Sequence, residues 1–77
     1  MDLETRIIRM LWGFVETANP HNLIKLSDRE LIQKLIDEVD RVSALNSHES
    51  KILSQYIGSK TLLIRDLAYA KVRNNHY

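Results

Sequence analysis

Three histidines, ten carboxylates and no cysteine are the raw material for chemistry in this 77-residue chain. His21, His48 and His76 are too scattered for an H-x-x-x-H or H-E-x-x-H ligand spacing, and thiolate ligation is excluded outright. Nucleophilic catalysis would fall to Ser, Thr, Lys or Tyr, and no histidine is placed by the sequence to activate one. Asp37 and Asp40 are three residues apart on one helix side, the spacing of a carboxylate pair, but Lys34 and Arg41 beside them account for both as surface ion-pair partners. Both glycines are isolated, so no phosphate-cradling loop exists. The expectation is a non-enzymatic protein with no catalytic residues, no metal, no cofactor and no small-molecule substrate.

The elements that carry these residues are helical. Leu26-Ser27-Asp28-Arg29-Glu30-Leu31 is a helix-start signal, with Ser27 and Glu30 as a reciprocal capping box and Leu26 and Leu31 as a hydrophobic staple. The segment it opens runs to about Ala44, with Leu31, Ile32, Leu35, Ile36, Val39 and Val42 on one face. Before it, residues 3–17 carry an apolar arc of roughly 200°, wider than the ~100° stripe of a helix lying on a surface, which predicts a central helix contacted from two sides. Asn19-Pro20 stops that helix. The connector His21–Lys25 contains Leu23 and Ile24, and with Leu26 it is too apolar for a free loop.

After a turn at Leu45–Ser47, with Asn46 or Ser47 as cap and Glu49 placed to return the box, a third segment runs from His48 to Arg73. Ile52, Leu53, Tyr56, Ile57, Leu63, Ile64, Leu67 and Ala70 share a face if it is one helix, with Lys60 projecting from its middle. A break at Gly58-Ser59, with Ser59 capping a fourth helix, would free the two halves from that register. The pattern favours a continuous or merely bent helix. No strand-type alternation is present. The expected fold is therefore all-α: an antiparallel three-helix bundle over residues 1–73, its third helix bent or split at Gly58-Ser59, followed by a frayed tail over residues 74–77.

A chain of this size buries only about 60% of its unfolded surface, which makes a partner subunit attractive in the absence of disulfides. Leu62 and Tyr69 lie seven residues apart, opposite the main apolar face of the third segment and with the stem of Arg65 between them. Together with Trp12 they are the expected interface anchors of a homodimer or of a complex with another protein. The charge distribution suggests the alternative. Residues 1–50 hold six Lys/Arg against nine Asp/Glu, whereas residues 51–77 hold five against Asp66 alone. A nucleic-acid-binding regulator would use Lys60, Lys71 and Arg73, although these scatter around the helix axis and are few for a phosphate footprint. The acidic residues among the first few, and the absence of any apolar run near ~20 residues, point to a cytoplasmic protein with no membrane association.

The strings Arg6-Ile7-Ile8-Arg9-Met10-Leu11-Trp12-Gly13-Phe14-Val15-Glu16, Leu26-Ser27-Asp28, Tyr56-Ile57-Gly58-Ser59-Lys60 and Leu63-Ile64-Arg65-Asp66-Leu67-Ala68 resemble short uncharacterised helical proteins of cyanobacteria. The resemblance covers most of the chain. It implies a cytoplasmic setting in a photosynthetic bacterium, carries over no active site, and marks Arg65-Asp66 as a candidate recognition pair, with an ion pair to the second helical segment as the plainer alternative.

Overall fold

The computed structural model describes residues 3–74, and these form five α-helices and no strand. They are α1 (Thr5–Thr17), α2 (Pro20–Lys25), α3 (Asp28–Ser43), α4 (Ser47–Gly58) and α5 (Thr61–Asn74). Five elements replace the three expected segments because two boundaries act differently from their sequence reading. Asn74, placed in the tail, is helical; residues 75–77 of that tail lie outside the described residues.

The first difference is at Asn19-Pro20. It ends α1 as expected, and it also starts a new helix: the Asn19 side chain accepts from the His21 N–H at 2.9 Å and Pro20 occupies the first turn. The apolar connector thus folds as α2, which buries Leu23 and half-buries Ile24. The capping box of α3 forms as read, with Ser27 Oγ accepting from the Glu30 N–H at 3.2 Å and Glu30 Oε1 accepting from the Ser27 N–H at 2.9 Å. A second box opens α4, built by Asn46 and Glu49.

The second difference is the end of α4. The helix stops at Gly58 without a left-handed glycine; the N–H of Ser59 is shared between the carbonyls of Gln55 and Tyr56, and the N–H of Lys60 turns back to Ile57 at 2.9 Å. This tightening toward i→i+3 bonding is completed by Ser59 Oγ, which donates to the Tyr56 carbonyl at 2.7 Å. Ser59 therefore terminates α4 instead of capping α5.

The centre of the fold is α3, not the first segment. Helices α1, α4 and α5 pack on it, and α2 packs on α5. Leu31, Leu35, Ile36 and Val39 supply its buried stripe. In α1 only Ile7, Leu11 and Val15 are buried, at i, i+4 and i+8, while Met10, Trp12 and Phe14 sit half-buried at the rim. A wide apolar arc reports how much of a helix is apolar, not how many neighbours cover it. Among the described residues no polar side chain is buried, and the fold extends 43 × 21 × 20 Å. Its radius of gyration, 12.5 Å, exceeds the about 11.5 Å of a compact chain of this length.

Candidate interaction surface on the C-terminal helix

Helix α5 is anchored by Ile64 and Ala68, its two buried residues, and by two cations that reach other helices. Arg65 places one guanidinium nitrogen 2.7 Å from Asp28 Oδ1 at the start of α3, and the other donates to the Ile24 carbonyl of α2 at 3.4 Å. The Arg65 side chain is 21% exposed. It is a tie within the fold, the plainer of the two expectations for this residue, and its charged head is not offered to a partner. On the other side of α5, Lys71 Nζ donates to the Glu16 carbonyl, supplying to the last turn of α1 the positive charge that α1 itself lacks there.

With these groups facing inward, the outer face of α5 carries large apolar side chains together with the exposed Asp66 and Arg73. Leu62 is 73% exposed and Tyr69 is 49% exposed; at 100° per residue they lie about 20° apart around the helix. Two residues of the apolar face expected for the third segment join them: Leu63 is 47% and Leu67 43% exposed. Four of the five large exposed hydrophobics among the described residues thus belong to this one helix.

Trp12 is set differently. Its Nε1–H donates to the Tyr56 hydroxyl at 3.0 Å, and the two rings meet edge to face with centroids 6.4 Å apart and an interplanar angle of 81°. This fixes the indole between α1 and α4, where its half-exposed surface lines a groove of about 360 Å³. The groove runs between α1, α2 and α5. Val15, Pro20 and Leu23 complete its inner wall, and Leu67, Ala70, Lys71 and Asn74 form the wall made by α5. Leu67 and Ala70 therefore belong both to the groove and to the flank of the exposed face.

The three cations of the nucleic-acid alternative are dispersed. Lys60 lies 5.7 Å from the centroid of the Tyr56 ring, Lys71 is bound to α1, and Arg73 is exposed on the outer face of α5. The carboxylates of α3 are also used locally. Asp37 accepts from Gln33 at 2.8 Å, Asp40 accepts from the Leu45 N–H at 2.8 Å, and Arg41 pairs with Glu38 and not with Asp37. Among the described residues no three His, Asp or Glu side chains are grouped to hold a metal, and no helix is long and apolar enough to cross a membrane. Comparison with protein-family models, curated proteins and solved structures gave no match to this chain.

Proposed function

We propose that this chain is a small non-catalytic protein–protein interaction module, an adaptor or regulatory subunit, that acts through the outer face of α5 and forms a homodimer there in a cytoplasmic setting. The observation that carries the reading is the concentration of Leu62, Leu63, Leu67 and Tyr69 on the exposed half of one helix beside an apolar groove. Isolated exposed apolar side chains are ordinary, but four on one helix of a domain this small support an association surface. Nucleic-acid binding is the weaker reading, because Lys60 and Lys71 already have partners within the chain.

Light scattering across a dilution series tests this reading. The expected result is a mass near twice 9.0 kDa at high concentration, falling toward 9.0 kDa on dilution. The double variant Leu62→Glu, Tyr69→Glu is expected to stay monomeric at every concentration with unchanged helical content. A wild-type mass of 9.0 kDa at several hundred micromolar (roughly the upper end of weak association) overturns the homodimer.

A further inference from the structure

Resting on the homodimer reading, we infer that two copies join through antiparallel α5 helices about a two-fold axis at the level of Leu67, with Leu63 of each copy seated in the groove of the other and Asp66 of each copy facing Arg73 of the other.

Three observations lead to this arrangement. The first is the charge along the open face. Asp66 and Arg73 are both exposed, seven residues apart, and project within about 20° of each other. The remaining basic residues of α5, Arg65 and Lys71, are turned toward Asp28 and Glu16. The stripe that a second copy meets is therefore electrically neutral although the segment as a whole is basic. It also has opposite ends, acid first and base last. A stripe with opposite ends complements itself only when the second copy runs the other way.

The second observation is the position of the groove. Its α5 wall runs from Leu67 at mid-helix through Ala70 and Lys71 to Asn74 at the end, whereas Leu62 and Leu63 protrude from the first turn. In an antiparallel pair centred at Leu67, position 63 of one copy comes level with position 71 of the other, alongside that wall. Leu63 and the groove lie on the same flank of the exposed face, and a two-fold axis perpendicular to antiparallel helices keeps like flanks together. A parallel pair instead puts like flanks on opposite sides and holds each Leu63 level with the first half of the other helix, which leaves both grooves unfilled.

The third observation is reach. In the antiparallel pair, the α-carbon level of Asp66 in one copy lies about 7.5 Å from that of Arg73 in the other, a span that the arginine and aspartate side chains cover together. Ala70 between them is small enough for the helices to approach. Two helices of about 21 Å give a contact at the low end of specific interfaces, so this dimer dissociates on dilution.

Charge exchange tests the arrangement. Asp66→Arg and Arg73→Asp each place like charges together twice in their own homodimers, and each is expected to dimerise at least about tenfold more weakly than the parent chain. An equimolar mixture of the two variants makes both contacts favourable, and is expected to recover the parent affinity as a mixed dimer. A mixture that associates no more tightly than either variant alone overturns the arrangement. Because the chain has no cysteine, single-cysteine variants read the orientation independently. Asp66→Cys, on the facing stripe and about 3 Å along the axis from its own copy, is expected to oxidise readily to a disulfide-linked dimer, and Leu62→Cys is not, since its two copies lie some ~15 Å apart along the axis. Equal cross-linking at both positions signifies parallel helices and sinks this geometry while leaving the homodimer in place. A parent chain that is monomeric throughout instead removes the underlying reading.

Discussion

The guanidinium of Arg65 spans 37 positions of sequence to bind Asp28 Oδ1 at 2.7 Å, and so pins the last helix to the first turn of the central one. Asp28 is well placed for this, since a carboxylate in the first turn of α3 is also favoured by the helix dipole. The pair is lopsided in exposure: the Asp28 side chain is 69% exposed and that of Arg65 only 21%. Arg65→Met, which keeps the packed stem, is therefore expected to destabilise by about 1 kcal/mol, and Asp28→Asn by less. A double-mutant cycle read by urea denaturation should give a coupling below ~1 kcal/mol.

Tyr56 carries three roles at once, as a partly buried side chain packed against the core, acceptor for Trp12 and seat for the Lys60 ammonium. Tyr56→Phe removes only the hydroxyl. It is expected to cost about 1 kcal/mol and to shift the emission of Trp12, the only tryptophan, as the indole N–H loses its partner. An unchanged spectrum would show that water replaces the hydroxyl without moving the ring.

Ala44 closes α3 in the left-handed region, at φ 48° and ψ 71°, where a β-carbon is strained. Ala44→Gly is expected to raise stability by about 1 kcal/mol, against the usual direction for an alanine-to-glycine change. Thermal melting of the two chains decides it.

Gly13 presents the opposite case. It lies inside α1, it is exposed, and a β-carbon built there meets nothing within 4 Å. Gly13→Ala is expected to stabilise by about 1 kcal/mol through helix propensity and the restricted unfolded chain. The gain should be additive with that of Ala44→Gly, because the sites share no partner.

The Glu30 carboxylate is held below its ordinary value of 4.5, first by the Ser27 backbone N–H and then by the Ser27 hydroxyl. A carboxylate depressed in the folded state contributes stability that is complete above its unfolded pKa and disappears as pH falls through the folded one. Acid unfolding of the parent chain should therefore show a component at and below about pH 4.5 that Glu30→Gln lacks. Equal acid profiles for the two chains would count against the capping box as the source.

How much of this was legible in the sequence depends on whether the governing interaction is local. Both capping boxes are readable because Ser27 with Glu30 and Asn46 with Glu49 need only the three-residue spacing that a helix start imposes. Helix α2 was half legible: Leu23 and Ile24 signalled burial, but a six-residue helix has too few positions to show a period. The placement of α3 at the centre was not legible, since periodicity gives a face and says nothing about which helix covers it. The same limit applies to Leu63 and Leu67, which share the apolar face of the third segment and yet are exposed. The split at Gly58-Ser59 was legible as one of two alternatives, although Ser59 ends α4 and does not cap α5. Of the expected interface residues, Leu62 and Tyr69 are exposed together, Trp12 lines the neighbouring groove, and Arg65 is committed to the fold.

Helix α5 contributes two buried residues to the core where α3 contributes four, and one of its two is an alanine. Opening free energy follows buried apolar contact, so the amides of α5 should exchange with solvent sooner than those of α3. Covering its outer face would supply the burial that its inner face lacks, which makes the order of α5 and the association of two chains linked equilibria. Hydrogen exchange should then slow in α5, and much less in α3, as protein concentration rises.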